Sequence, residues 1–341
     1  RYTDPTIDFK PENDELEIVI YDKSYADKEY PTVSEEFDEC VQTMREDFAQ
    51  FCKGVICMPE GLEMLVYGLW IAEKCFPETD GMYPSNVITE VYPKAEEQPI
   101  LSMAFANADM AERLITKFLK YTTDNGLVPV SISKTKRLYQ TEAMDYGAAA
   151  LELLKKGTLT CEQMTAVYNL LATIDEWWTE NRSDDGVRFY YAYRYECGID
   201  SSSAVKEGTP AITPDLMTRM ILSAVALAEY AERIGAESAA VRWKTAAEKR
   251  LKYLLENLWS GDGFVCRLVD DTEYESESIL CWMPLMLGKR LPEDIRDKAG
   301  RMIENNFLVK EKGLIVEKKG EEVNTLIMSL IIAGLYDAGQ K

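Results

Sequence analysis

Apolar residues recur every three or four positions along most of the chain from Ser34 onward, and this spacing predicts amphipathic helices. The predicted helices cover eleven ranges: 34–52, 60–76, 97–106, 107–123, 140–156, 160–181, 214–234, 237–258, 275–288, 292–305 and 321–338. Several boundaries carry their own signals. Thr160 and Gln163 have the spacing of a capping box, Thr213 before Pro214 predicts an N-cap, and Gly235 predicts a helix end.

The first residues follow a different pattern. Residues 15–21, Glu-Leu-Glu-Ile-Val-Ile-Tyr, alternate in part between polar and apolar positions, which predicts a strand. We therefore expect an N-terminal extension over 1–33 with one or two strands, followed by an all-α domain over 34–341.

Two consecutive helices differ in how much of their surface is apolar. The helix at 214–234 is apolar around much of its circumference and should be enclosed. The helix at 237–258 has one apolar stripe, and we place Arg250 on its opposite, polar face, which is typical of a surface helix. An enclosed helix followed by a one-sided helix is what two concentric rings of helices require.

Short polar-Gly-apolar segments recur between the predicted helices, at Gly81, Gly126, Gly186, Gly263 and Gly313. Asp-Gly and Asn-Gly pairs mark turns in general, but five of them at hairpin spacing indicate a repeat. The fold predicted is all-α, an (α/α)6 toroid of helical hairpins with a short N-terminal β extension. Six hairpins need twelve helices and the sequence predicts eleven, so we expect the last helix of the toroid to be missing.

The amino-acid composition limits the classes of molecule that this protein is expected to bind. The formal net charge is −21, which argues against nucleic acid and anionic membranes as partners, and no run of 18 apolar residues predicts a membrane span. The simplest role of this charge is solubility, and the alternative is an electronegative cleft. The eight cysteines form no C-x2-C pair, so we expect reduced thiols, no metal site and a cytoplasmic location.

The chain contains no histidine. This excludes Ser-His-Asp and Cys-His catalysis, histidine general bases and histidine metal ligands. Acid–base chemistry must therefore rest on Asp, Glu, Lys, Tyr or Cys, and we expect no cofactor.

The motifs that carry chemistry lie in the middle of the chain. They are Trp177-Trp178-Thr179-Glu180-Asn181-Arg182, Glu196-Cys197-Gly198-Ile199-Asp200-Ser201-Ser202 and Thr213-Pro214-Asp215-Leu216. In this order they resemble the WW-x-x-N-R, E-S-G-x-D-x-S and S-P-D-L motifs of family 63 glycoside hydrolases and, more distantly, of family 37 trehalases. The resemblance is specific over about residues 140–265.

This resemblance implies a role for each candidate site residue. Asp200 matches the general acid, with a turn aspartate as the alternative. Glu196 would bind sugar hydroxyls or orient Asp200, and Arg182 would pair with a pocket carboxylate or form a surface ion pair. Trp177 would stack on the sugar or lie in the core. Asp215 would contact substrate or stabilise the first turn of its helix.

The chain also departs from these families. Cys197 replaces the usual Ser, and the W-R-G-P-x-W segment near the end is missing. The catalytic base of the families follows the last inner helix, so we expect the base to be missing here. The nearest glutamates, Glu317, Glu321 and Glu322, have lysine and glutamate neighbours that predict a solvated turn.

The function predicted is inverting hydrolysis of a small α-linked glucoside or mannoside by a carboxylate acid and base. A toroid that binds carbohydrate without hydrolysing it is the alternative, and a helical interaction scaffold is a third possibility. The partner predicted is a small carbohydrate, and the sequence leaves the oligomeric state open.

Overall fold

The computed structural model describes residues 37–54, 67, 70, 90–91, 122, 124–133, 137–139, 143, 145–157, 159–199, 202–205, 210–309, 313–318, 320, 322, 324–337 and 339. The chain divides into two compact units, Arg1–Ala49 and Gln50–Lys341. Helix α1, Phe37–Gly54, runs through this division. The predicted strand at 15–21 and the predicted helices at 97–106 and 107–123 lie outside the described residues or almost entirely so, as does most of 60–76.

Within the second unit, helices follow one another with short strands between them. The helices are α2 (Tyr146–Lys156), α3 (Cys161–Asn181), α4 (Pro214–Arg233), α5 (Glu237–Asn257), α6 (Glu293–Asn306) and α7 (Thr325–Asp337), with a 3₁₀ turn at Arg194–Cys197 and a 3₁₀ segment at Ile279–Arg290. The mostly helical architecture agrees with the sequence prediction.

The strands are short and antiparallel. They are β1 (Glu90–Val91), β2 (Pro129–Ser133), β3 (Arg137–Tyr139), β4 (Ala211–Ile212), β5 (Cys266–Leu268), β6 (Glu273–Tyr274), β7 (Leu308–Val309) and β8 (Gly313–Leu314). They form two three-stranded sheets, β1-β2-β3 and β4-β5-β6, and the pair β7-β8. Strands β2, β5 and β8 begin at or within three residues of the turn glycines Gly126, Gly263 and Gly313.

Helix α4 is the centre of the described core. It packs against α2, α3, α5 and the 3₁₀ segment, and residues on all its sides are buried. Helix α5 buries one stripe, which includes Trp243, Ala247 and Leu254, and its other residues are exposed or half-buried. The predicted pairing of an enclosed helix with a one-sided helix is therefore confirmed.

Two glycines let helices approach closely. A Cβ atom on Gly147 in α2 would lie 2.6 Å from the backbone nitrogen of Ser223 in α4. A Cβ atom on Gly334 in α7 would lie 2.2 Å from the carbonyl oxygen of Leu285 in the 3₁₀ segment. Neither distance is compatible with a side chain, so these two contacts between elements require glycine.

Most helix boundaries are close to those predicted, but α7 begins at Thr325, four residues later than predicted. The predicted capping box of Thr160 and Gln163 is present at the start of α3. Helix α2 begins at Tyr146, six residues later than the predicted start at 140. Thr213 occupies the N-cap of α4 without making a capping hydrogen bond, and Pro214 provides the first helical residue. The predicted α-helix at 275–288 is a 3₁₀ segment, because Pro284 lacks a backbone donor and Gly288 has non-helical angles.

No helix in the described part of the chain is both long and apolar enough to cross a membrane.

Candidate functional site

The motif residues Arg182 and Glu196 form one buried ion pair. Arg182 ends α3 and donates two hydrogen bonds to Glu196 Oε1, from Nε at 3.0 Å and from Nη2 at 2.6 Å. The Glu196 side chain is 1% exposed and that of Arg182 is 16% exposed. The second carboxylate oxygen, Oε2, accepts the backbone N–H of Ala192 at 2.6 Å. Both oxygens of Glu196 are therefore used to fix the turn that contains it.

The Trp177 ring packs against the arginine of this pair. The guanidinium carbon of Arg182 lies 5.4 Å from the centre of the Trp177 ring, a cation–π distance. Trp177 is 7% exposed and meets Trp178 edge-on at 5.7 Å. Trp178 is also buried and meets Tyr191 edge-on at 6.2 Å. Both tryptophans are therefore packed in the core, and the Trp177 ring orients Arg182.

Asp215 belongs to a second buried network on the inner helix α4. Its Oδ2 accepts the hydroxyl of Tyr191 at 2.7 Å and Nη1 of Arg219 at 3.3 Å. Arg219 also donates from Nε to Asp145 Oδ1 at 2.9 Å. All four side chains are buried. Asp215 is thus paired with an arginine one turn further along its own helix, as expected for residues four apart, and it shares that arginine with Asp145.

Burial raises the pKa of the Tyr191 hydroxyl well above its usual value, and the negative charge of Asp215 raises that pKa further. Tyr191 therefore stays protonated and donates to Asp215 over the whole neutral range.

The two networks are joined through adjacent residues of one segment. Tyr191 reaches Asp215 with its side chain, and Ala192 reaches Glu196 with its backbone N–H. The segment is held in turn by the backbone pair Tyr191–Ala211, in which each N–H donates to the other carbonyl. The backbone N–H of Ala143, just before α2, donates to the carbonyl of Glu196 at 2.9 Å. The structure thus brings together four of the five predicted site residues: Trp177, Arg182, Glu196 and Asp215.

The fifth residue, Asp200, lies outside the described residues. The nearest described residues are Ile199 before it and Ser202 two positions after it, and the backbone N–H of Ser202 donates to the carbonyl of Ile199 at 3.0 Å. Ile199 and Ser202 are both buried.

Glu317 makes a contact that the sequence did not predict. It is half-buried, and its carboxylate accepts two hydrogen bonds from Ser203, three residues after Asp200. Sequence neighbours do not show which distant loop packs on a ribbon, so this contact had no sequence signal. Glu322 is exposed, and Glu321 lies outside the described residues.

Sequence reasoning missed Tyr191, Arg219 and Asp145. Arg219 had a signal, since it stands four residues after Asp215 in the mostly apolar first half of the helix. Tyr191 and Asp145 had none, because they come from separate segments and meet Arg219 only in the folded chain.

The exposed side of this turn carries aromatic and cationic groups. Tyr193 is 68% exposed and Tyr195 is 59% exposed. Between them, the half-buried Arg194 makes no hydrogen bond or ion pair through its guanidinium with any described residue, and its Nε is shielded from solvent. Such a surface can stack on a sugar ring and bind an anion.

Comparisons with known proteins agree with this picture. Residues 99–310 match the family model of the mannosylglycerate hydrolase MGH1-like glycoside hydrolase domain. No curated protein sequence matches the chain.

Solved structures resemble the chain at low sequence identity. A family 63 mannosylglycerate hydrolase from Thermus thermophilus, in complex with glucose, is 10% identical with a TM-score of 0.63, covering 76% of this chain and 84% of that one. An uncharacterized conserved protein from the same organism is 11% identical with a TM-score of 0.61 and the same coverage. A sialidase is 13% identical with a TM-score of 0.62, covering 82% of this chain and 27% of its own.

These structures confirm the predicted helical toroid, and the family model confirms the resemblance to family 63. The matched range contains both buried networks and every predicted site residue. It covers more than half of the chain, so this protein belongs to the family of MGH1-like glycoside hydrolase domains.

Proposed function

We propose that this protein hydrolyses a small α-linked mannoside or glucoside with inversion at the anomeric carbon. Asp200 is the proposed general acid, which protonates the leaving oxygen. Inversion also requires a second carboxylate to activate water on the opposite face of the sugar, and the sequence motifs assign no residue to that role. The observation that carries the proposal is the Arg182–Glu196 pair, which fixes the backbone four residues before Asp200 inside the range matched by the family.

The contacts of Glu196 favour one of its two predicted roles. One carboxylate oxygen accepts two bonds from Arg182 and the other accepts a backbone N–H, so little of the carboxylate is left for sugar hydroxyls. We therefore assign Glu196 and Arg182 to orienting the loop that carries Asp200. Fixing the backbone before Asp200 would limit the reorganisation that this acid needs to reach its reacting geometry.

The cation on the exposed side of the turn suggests an acidic leaving group. The Thermus enzyme is named a mannosylglycerate hydrolase, and one of its structures contains Tris and D-glycerate. Arg194 has no carboxylate partner among the described residues, and a charge-assisted hydrogen bond to a substrate carboxylate would satisfy it. Mannosylglycerate and glucosylglycerate are therefore the first substrates to test.

The test is hydrolysis followed by proton NMR. We expect the freshly released sugar to be the β-anomer, since inversion of an α-linkage produces it, and only later to mutarotate. Replacing Asp200 with Asn should lower kcat by about 10²- to 10⁴-fold, as for loss of a general acid. Asp270→Asn, an exposed turn aspartate, is the matched control.

Two results would contradict the proposal. Initial release of the α-anomer would exclude inversion, and near-normal turnover by the Asp200→Asn variant would exclude its acid role. Binding of either glycoside without any hydrolysis would favour the carbohydrate-binding alternative.

A further inference from the structure

Glu317 ties two distant parts of the chain together. Its Oε1 accepts the backbone N–H of Ser203 at 3.0 Å, and its Oε2 accepts the Ser203 hydroxyl at 2.7 Å. Ser203 follows Asp200 by three residues, whereas Glu317 lies just after β8, 114 residues further along the chain. A carboxylate that accepts both donors of one residue fixes the position of that residue and the direction of its side chain.

The Ser203 hydroxyl is the centre of this arrangement. It donates to Glu317 and accepts the backbone N–H of Glu277 at 3.0 Å, and the Ser276 hydroxyl lies 2.9 Å away. Because the Ser203 proton points to Glu317, the Ser276 hydroxyl is the donor in the last contact.

Neighbouring contacts hold the same loop. The Ser202 hydroxyl donates to Ser278 Oγ at 2.8 Å, and both serines are buried. The Tyr274 hydroxyl donates to the carbonyl of Ala204 at 2.6 Å. The loop Ser202–Val205 is therefore attached at each of three successive residues.

Glu317 itself stands on a fixed support. The backbone N–H of Lys318 donates to the carbonyl of Glu277 at 2.9 Å, and that of Ile279 donates to the carbonyl of Val316 at 2.7 Å. The two bonds flank Glu317 and attach its ribbon to the start of the 3₁₀ segment. The carboxylate thus reaches Ser203 from a rigid backbone.

We propose that Glu317 is a positioning residue that anchors, through Ser203, the segment that follows Asp200. The proposal rests on the function proposed above, in which Asp200 is the general acid. The Glu196–Arg182 pair fixes the chain before Asp200, and Glu317 fixes it after. Since both Glu317 oxygens are engaged by Ser203, this carboxylate orients the loop and does not activate the water.

Glutamine separates positioning from chemistry. In a Glu317→Gln variant, the amide oxygen still accepts the Ser203 N–H, and the amide nitrogen can donate to the Ser203 hydroxyl, which then donates to Ser276. A water-activating base cannot be replaced in this way. A positioning residue should therefore be rescued by Gln, and a base should not.

The experiment measures kcat and KM for mannosylglycerate and glucosylglycerate. We expect Glu317→Ala to lower kcat roughly 10- to 100-fold with little change in KM, because the acid is misplaced while binding groups remain. Glu317→Gln should stay within about threefold of the wild type. Ser203→Ala should resemble Glu317→Ala, and the double variant should lose no more than either single variant, as for residues that act as a unit. The exposed Glu275→Ala is the control.

The possible negative results distinguish the positioning role of Glu317 from the acid role of Asp200. Normal kcat for Glu317→Ala beside an inactive Asp200→Asn variant would overturn the positioning role alone. A Gln variant as slow as the Ala variant would overturn it in favour of a chemical role.

If the wild type hydrolyses neither glycoside, the proposed function fails and amide hydrogen exchange decides the inference. The Ser203 amide should exchange slowly in the wild type and the Gln variant and fast in the Ala variant. Unchanged exchange in the Ala variant would overturn the inference without any activity measurement.

Discussion

Arg250 on α5 binds Asp175 on α3 through two hydrogen bonds of 2.8 Å each, and both side chains are buried. Nη1 of Arg250 also donates to the carbonyl of Met220 on α4, and Nε donates to the carbonyl of Gly186 in the turn after α3. One guanidinium therefore joins three helices and a turn. It lies over the ring of Phe189, with 4.6 Å between the guanidinium carbon and the ring centre.

Replacing Asp175 with Ala should destabilise the protein strongly. The change leaves the buried Arg250 charge without its counter-charge, which costs about 3–5 kcal/mol in free energy of unfolding. Glu176→Ala is a control one residue away, since Glu176 and Arg242 form an exposed pair at 3.5 Å that is worth about 0–1 kcal/mol. Urea denaturation of both variants measures the difference. Equal stability of the two would contradict the structural role of Asp175.

For α5, the hydrophobic pattern predicted the helix correctly but assigned Arg250 to the wrong face. The sequence indicated helix α5 and its apolar stripe, but it placed Arg250 on the polar face because of its charge. Positions 243, 247, 250 and 254 follow the spacing of one helix face, so Arg250 had to lie in the stripe. Charge was the wrong guide here because a buried partner, Asp175, was supplied by another helix.

The site was predictable only as far as its motifs extend. The order of the motifs identified Arg182, Glu196 and Asp215. The sequence analysis gave pairing with a pocket carboxylate as one of two roles for Arg182, and in the structure Arg182 pairs with Glu196. Contacts between segments far apart in the chain, such as Glu317 with Ser203, leave no local pattern. Such contacts depend on the packing of the whole domain, which a helix period does not specify.

Replacing Arg182 with Gln should impair turnover more than substrate binding. The variant removes the charge that holds Glu196 and loosens the turn before Asp200, so we expect kcat to fall roughly 10- to 100-fold for a glycoside that the wild type hydrolyses. Arg188→Gln is the control, because Arg188 forms ion pairs with the exposed Asp184 and Asp271. A rise in KM with unchanged kcat would indicate instead that Arg182 binds substrate directly.

Tyr191→Phe should cost about 1–3 kcal/mol in free energy of unfolding, because it removes a donor from the buried carboxylate of Asp215. Tyr336→Phe, at an 82% exposed position, should change stability little. Chemical denaturation at pH 7 compares the two variants. A loss below about 0.5 kcal/mol for Tyr191→Phe would show that Arg219 alone satisfies Asp215.

The pKa of Tyr191 adds a dependence on alkaline pH. Burial raises this pKa in the folded state, so above the ordinary tyrosine pKa of about 10 the unfolded chain loses the proton while the folded chain keeps it. The contribution of Tyr191 is therefore complete below about pH 10 and decreases as the pH rises. The stability gap between wild type and Tyr191→Phe should stay constant up to about pH 10 and narrow as the pH rises further. A constant gap would contradict the raised pKa.

Arg194 is expected to select acidic glycosides. Its guanidinium has no partner among the described residues, and it lies between the exposed Tyr193 and Tyr195 on the turn that Glu196 fixes. Replacing it with Gln should raise KM for mannosylglycerate by about 10- to 100-fold, since a hydrogen bond to a charged group contributes about 1.5–3 kcal/mol. The KM for p-nitrophenyl α-mannoside, which has no carboxylate, should stay nearly unchanged.

The comparison of the two substrates tests this assignment of Arg194. An electrostatic contact weakens with ionic strength, so the wild-type preference for mannosylglycerate should shrink in high salt and should be absent in the Arg194→Gln variant. Arg290→Gln is the control, because Arg290 forms a partly exposed pair with Glu229 away from this turn. If the Arg194 variant loses both substrates equally, Arg194 maintains the shape of the turn. If it loses neither, the substrate carboxylate is bound by other groups.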